Sequence, residues 1–203
     1  MNINYLIPLT VAAALLASCG KPDKPADAVA PDTADTPAAT STPAPADAPP
    51  PAASASAQLA PTQGHTAAGT LDLKDEGDVV RISGTLQGLP PNGEFGFHIH
   101  ENGDCSAPDA SSAGGHFNPA NAQHGNPQGG THHAGDMLNA RSDAQGMARV
   151  DAVADSVSLT SGQPNAALGK AIVLHEKADD YASQPSGNSG ARIACGVIGP
   201  PAH

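Results

Sequence analysis

Aromatic side chains are nearly missing from this 203-residue chain. There is no Trp, and the whole aromatic set is Tyr5, Phe95, Phe97, Phe117 and Tyr181. A core built on aromatic packing is therefore excluded. Cations are scarce as well, with 9 Lys and Arg against 20 Asp and Glu and a formal net charge of −11. Nucleic-acid modules need a basic footprint or a row of stacking aromatics. Both are lacking, so no nucleic-acid partner is expected. Helical periodicity is absent too, and neither a collagen nor a coiled-coil repeat occurs. The apolar run Leu6 to Ala17 is far shorter than the ~20 residues of a permanent membrane-spanning helix. What the chain does have is 22 Gly, 9 His and an odd number of cysteines, 3.

An apolar run ending in small residues reads as a secretory signal. Its end, Leu16-Ala17-Ser18-Cys19, resembles the bacterial lipobox, in which the Cys is lipidated and becomes the mature N-terminus. Gly20 to Ala60 is a different material, with 9 of the 20 Pro and 14 Ala. It cannot bury enough apolar surface to offset its ordering entropy. Runs such as Pro49-Pro50-Pro51 favour extended geometry, so the stretch is expected to act as a semi-stiff tether. The expected organisation is a signal peptide over 1–18, a lipidated Cys19 and disordered Ala/Pro-rich tether over 19–62, and a folded domain over 63–203. The domain carries 7 Lys and Arg against 15 acids.

Within the domain the apolar pattern has period two. Leu71 and Leu73, then Val80, Ile82 and Leu86, alternate with polar residues around Asp75-Glu76-Gly77-Asp78, which predicts a β-hairpin over 67–87. Pro90-Pro91-Asn92-Gly93 is a second turn cluster. Glu94 to Glu101 alternates again, with Phe95, Phe97 and Ile99 on one face and His98 and His100 on the other. Met147 to Val153, Ala171 to Leu174 and Arg192 to Ile198 are further β-like runs. Two long segments, Asn102 to Asn139 and Glu176 to Gly190, lie between them. Loops of this length in a small domain are usually functional. A small antiparallel sandwich or barrel with two long loops is predicted.

The histidines cluster along that framework. Side chains two apart on a strand share a face, so His98 and His100 can reach one ion. His116, His124, His133 and Asp136 fall in one loop with little to bury, and three His with one Asp form a tetrahedral set suited to Zn²⁺. His175 ends another strand. Six His and one Asp exceed one ordinary site and suggest two ions, the nitrogen-rich half suiting copper. Export favours a disulfide between Cys105 and Cys195, which would close a loop of about 90 residues.

Five blocks now carry a resemblance: Gly96-Phe97-His98-Ile99-His100-Glu101, Gly114-Gly115-His116-Phe117-Asn118-Pro119, His133-Ala134-Gly135-Asp136, His175-Glu176-Lys177-Ala178-Asp179-Asp180, and Gly190-Ala191-Arg192-Ile193-Ala194-Cys195-Gly196-Val197-Ile198-Gly199. In this order they resemble the copper/zinc superoxide dismutase family, in its bacterial periplasmic branch. The resemblance implies an all-β fold, an eight-stranded antiparallel Greek-key barrel of immunoglobulin-like sandwich type with two long functional loops. It implies one copper and one zinc ion per subunit. Copper would be held by His98, His100, His116 and His175, and zinc by His116, His124, His133 and Asp136, with His116 bridging. Asp179 would link a copper ligand to a zinc ligand, His98 to His124. Arg192 would guide the superoxide anion, and Lys177 would lie in the loop that shapes the approach. The expected partners are superoxide and a membrane through the lipid on Cys19, with a homodimer and a monomer as the two alternatives for its association. The expected location is the periplasmic face of the envelope, at the outer membrane in preference to the inner.

His65, His132 and His203 are read as solvated residues outside the sites. Two other functions compete. A zinc hydrolase or lyase could use a His-x-His strand and a distant His, but would need neither the extra ligands nor Arg192. A metal-storage or chaperone protein would need only ligands, and not Arg192 or Asp179.

Overall fold

The structure is a computed structural model and describes residues 53–201. The expected signal peptide, Cys19, most of the tether and His203 lie outside the described residues. The described residues form nine strands: β1 Ser54–Pro61, β2 Ala68–Asp75, β3 Val80–Gln87, β4 Glu94–Phe95, β5 Phe97–His100, β6 Ala140–Arg141, β7 Ala148–Ala154, β8 Ala171–His175 and β9 Arg192–Gly199. Strands β4 and β5 are one extended run interrupted at Gly96, whose N–H leaves the ladder to donate to the Lys177 carbonyl at 2.7 Å. Counted that way the strands are eight.

All pairings are antiparallel, in the order β5-β8-β9-β1-β2-β3-β7, with β4 pairing β6. A bridge between Ser142 and Ala148 joins the end of β6 to β7. The path from β7 through β6 and β4 returns to β5, so the sheet closes on itself. The β6–β7 hairpin is inserted between β3 and β4, and the chain crosses the barrel ends to reach it and leave it, giving the Greek-key connectivity that the family resemblance implied.

The period-two pattern explains the wall. On the β2–β3 hairpin Leu71, Leu73, Ile82 and Leu86 are buried, while Asp72, Lys74, Ser83 and Thr85 face solvent. Leu, Ile, Val and Ala fill the interior, with Phe95 and Phe97 as its aromatic members and Phe117 packed against it from the loop that follows β5. Each fully buried Leu or Ile contributes about 1.5–3 kcal/mol relative to exposure, which is how a core with few aromatics suffices.

One boundary moves. β1 lies inside the segment expected to be tether, hydrogen-bonded between β2 and β9. Its alternation is partial and made of small residues: Ala55, Ala57 and Leu59 are buried, Ser56 is buried between the first two, and Gln58 and Ala60 are exposed. Alanines two apart look like linker composition, yet here they fit a wall whose neighbours supply the bulk. The folded domain therefore begins by Ser54, not at 63.

Two long connections leave the barrel, 101–139 after β5 and 176–191 after β8, as expected. Cys105 in the first is disulfide-bonded to Cys195 on β9, with Cα atoms 5.8 Å apart.

Candidate metal centre

β5 presents Phe97 and Ile99 to the core, so His98 and His100 face outward. They are nonetheless buried, because the 101–139 loop folds back over them. His116-Phe117 and Gly135-Asp136 pair with β5 like extra strands: the Phe117 N–H donates to the Ile99 carbonyl (2.8 Å), Ile99 N–H to Gly135 (2.9 Å) and Gly135 N–H to Phe117 (2.9 Å). Gly135 has to be glycine, since a Cβ there would stand 2.2 Å from the Ile99 carbonyl oxygen. The pairing sets His116 opposite His100 and Asp136 opposite His98. His175 arrives at the end of β8, where a register shift after Leu174 re-aims the strand.

Two groups of side chains result. His98, His100, His116 and His175 form one, and His116, His124, His133 and Asp136 the other; within each, the ligand-capable atoms lie within 4.8 Å of one another. All seven residues are buried. The hydrogen bonds fix the tautomers, because carbonyls and carboxylates only accept. His98 Nε2–H donates to Asp179 (2.7 Å), His100 Nδ1–H to the Gly114 carbonyl (3.0 Å) and His175 Nδ1–H to the Gly190 carbonyl (3.3 Å). This leaves the lone pairs on His98 Nδ1, His100 Nε2 and His175 Nε2 turned to a common point. The last two nitrogens stand 3.3 Å apart. His124 Nε2–H likewise donates to Asp179 (3.0 Å), leaving Nδ1.

The residues fit metal ions. His98 Nδ1, His116 Nε2, His124 Nδ1 and His133 Nδ1 are buried without any hydrogen-bond partner. Four such orphans in one place are costly unless something binds them. Asp136 stands 2.7 Å from His116 Nδ1, 3.0 Å from His124 Nδ1 and 3.3 Å from His133 Nδ1. Ligands ~2.0–2.1 Å from a tetrahedral zinc would be ~3.3 Å apart along each edge. The ring of His116 touches both groups, Nδ1 on the Asp136 side and Nε2 on the other.

Protonation follows from surroundings. Burial pushes His98 down to about 4 and His175 down to about 3, and puts His100 well below its ordinary value. These rings are therefore neutral and ligand-ready at pH 7. Burial also opposes charge on His124, but the carboxylates of Asp136 and Asp179 outweigh it and raise that group to about 9. Burial disfavours ionised Asp136 and Asp179 too. Hydrogen bonds from His116 and the His133 and Gly125 N–H groups for the first, with the His124 ring close by, and from His124, His98 and the Tyr181 N–H for the second, hold both carboxyls well below the usual range.

A cleft of about 470 Å³ opens over the first group, lined by His100, His116, His175, Glu101, Ser186 and Arg192 among others. Arg192 opens β9 and is half-buried. Its guanidinium donates to the carbonyls of Ala110 (2.6 Å) and Gly114 (2.5 Å), which fixes it at the cleft wall. Lys177 is not part of that wall; its side chain is exposed beside Gly190. His132 donates to the His133 carbonyl and lies 3.6 Å from Asp155, and His65 is half-exposed; neither joins the two groups.

Sequence reasoning missed the residues that hold the loops. The Asn139 amide makes two bonds to the Asp179 main chain, and its own N–H donates to the Tyr181 hydroxyl. Lys170 donates to the Glu101 carbonyl (2.8 Å) and sits 4.8 Å above the Phe117 ring. Gln184 binds the main chain of His124. No local pattern marks such residues, because each acts on a partner tens of residues away.

A family model described as copper/zinc superoxide dismutase matches residues 67–198. Superoxide dismutase [Cu-Zn] 2 of Aquifex aeolicus is 46% identical over 149 residues, covering 71% of this chain and 85% of that one. The extracellular superoxide dismutase [Cu-Zn] of Caenorhabditis elegans is 41% identical over 137 residues, covering 64% and 60%. The crystal structure of a SOD-like protein from Bacillus subtilis superposes with a TM-score of 0.62 at 44% identity, covering 70% of this chain and 95% of that one.

Proposed function

The chain belongs to the copper/zinc superoxide dismutase family, and from that premise we propose that His98, His100, His116 and His175 hold copper while His116, His124, His133 and Asp136 hold zinc. The protein is an enzyme that dismutates superoxide, with one copper and one zinc ion per subunit. The observation that carries the assignment is the His116 ring, buried with Nδ1 in one group and an unpartnered Nε2 in the other. When bound, copper supplies one-electron chemistry between Cu(II) and Cu(I), and zinc supplies order to the 101–139 loop.

The chain's own residues do the rest. Arg192 binds the anion at the cleft wall; its two carbonyl bonds hold the positive charge in one position. His116 Nε2 would bind copper or a proton in turn, and in its protonated form would supply one of the two protons that peroxide needs, water supplying the other. Asp179 joins His98 to His124, orients both rings and raises their basicity. The barrel and the loops keep bulk water from seven buried ligands.

The relatives named as extracellular support a location outside the cytoplasm. The Leu-Ala-Ser-Cys end of the apolar run supports the finer reading: a lipid on Cys19, a short tether, and the catalytic domain at the periplasmic face of the envelope, with the outer membrane favoured. A homodimer belongs to the same proposal.

Dismutation should disappear when copper is removed and return when it is restored. A copper-loaded, disulfide-oxidised protein without this activity ends the reading.

A further inference from the structure

One exposed side chain outside the ligand set grips a buried ligand by its backbone. Gln184 Oε1 accepts from the main-chain N–H of His124 at 2.9 Å, and Gln184 Nε2 donates to the carbonyl of the same residue at 2.9 Å. An amide alone among neutral side chains offers an acceptor and a donor side by side. Both main-chain polar groups of His124 are satisfied by this one partner from the other loop.

The loop that carries Gln184 is tied to itself. Asp180 accepts from the N–H groups of Ala182 and Ser183, from the Ser183 hydroxyl and from the Asn188 amide. Gly187 N–H donates to the Ser183 carbonyl (2.7 Å) and Asp180 N–H to Gly187 (2.9 Å). Residues 180–189 therefore form one braced piece. Pro185 and Ser186, beside the grip, line the cleft. Gly187 then passes against the link between the two groups. A Cβ at this position would lie 1.8 Å from Asp179 Oδ1 and 2.8 Å from His124 Nε2, and the backbone φ there is +61°.

We infer that Gln184 is a positioning residue, a latch that sets His124 and, through the braced 180–189 segment, the Pro185–Ser186 wall of the cleft. Gly187 is its companion, leaving the space that Asp179 occupies. Changes in the His124 group are thus passed to the cleft wall through the latch. This rests on the assignment of His124 to zinc given above.

The test uses the full-length, metal-loaded protein with Gln184→Ala, Gln184→Met (similar length, no amide), Gly187→Ala and His124→Ala. Gly162→Ala serves as the control for strain alone, because Gly162 has φ +84° with nothing within 4 Å of its Cβ position. Zinc transfer to a chelator and amide hydrogen exchange over 180–189 are measured, together with the visible spectrum of the copper-loaded protein. Both Gln184 variants should release zinc about tenfold faster, the lower end for lost partners of a ligand. They should also lose exchange protection over 180–189 and shift the spectrum. Gly187→Ala should do the same and Gly162→Ala should not. Wild-type zinc release and protection in Gln184→Ala and Gln184→Met, in a protein where His124→Ala loses zinc, would overturn the latch. Wild-type zinc release in His124→Ala would instead overturn the assignment beneath it.

Discussion

Arg192 has two of its N–H groups committed to the Ala110 and Gly114 carbonyls, so its charge is held in place before any anion arrives. Removing it takes away a preset field at the cleft, not a mobile surface charge. Arg192→Ala is expected to lower kcat/KM by about tenfold or more and to flatten its dependence on ionic strength. Initial rates across a salt series would show both; an unchanged rate and slope would remove Arg192 from the substrate path. The buried histidines allow a second prediction, for the metal-free protein. His98 and His175 have folded values of about 4 and about 3, below the ordinary 6.5. Their stabilisation is complete above pH 6.5 and is lost as pH falls through those values. His124, raised to about 9, has the opposite sign: its stabilisation is complete below pH 6.5 and is lost as pH rises through 9. Urea midpoints of the metal-free protein should therefore be highest near pH 6.5 and fall on both sides. A steady rise from pH 4.5 to pH 9 would contradict this.

At the scale of elements, β1 decides where the domain begins. It fills the position between β2 and β9. A chain starting at residue 63 should fail to fold cooperatively, whereas one starting at residue 50 should unfold like the full-length protein in a thermal melt. Leu59→Ala, in the intact chain, should cost about 2–5 kcal/mol in urea titrations. The contrast with the 67–87 hairpin explains what could be read in advance. There Leu and Ile alternate with charged and hydroxyl residues, so period two is visible in one sequence. In β1 the same period is written in Ala and Ser, and composition alone resembles the tether before it. The metal centre was legible for a similar reason. His-x-His on a strand and His-x-x-Asp in a loop declare their chemistry locally. Asn139, Lys170 and Gln184 do not, since their targets are set by the closing of the barrel. Lys177 lies in the expected loop, and only its position along the chain was legible: its exposed side chain is not among the residues that line the cleft.

For the whole molecule, a net charge of −11 stands against an anionic substrate. The attractive field must come from a small region with low-dielectric walls, and the folding of the 101–139 loop creates it. The disulfide is part of that arrangement. It ties Cys105 to Cys195 across a separation of 90 residues, and the segment just after Cys105 supplies the carbonyls of Ala110 and Gly114 to Arg192. Replacing both cysteines with serine should cost roughly 4–5 kcal/mol by loop-closure entropy, measured by denaturant titration of the metal-loaded proteins. It should also reduce the salt dependence of turnover, because Arg192 loses part of its support. A loss below about 1 kcal/mol would show that the loop is already closed by other contacts in the unfolded chain. The pairing of the first strand with the last has a separate consequence. Ser56 lies opposite Gly199 across the β1–β9 ladder, so the two ends of the domain leave the barrel side by side. A few added residues could splice them together, and the chain could be reopened at the exposed Glu76–Asp78 turn without cutting either histidine group. The order in which the strands are written along the gene is then a matter of history, and the barrel would accept another starting point.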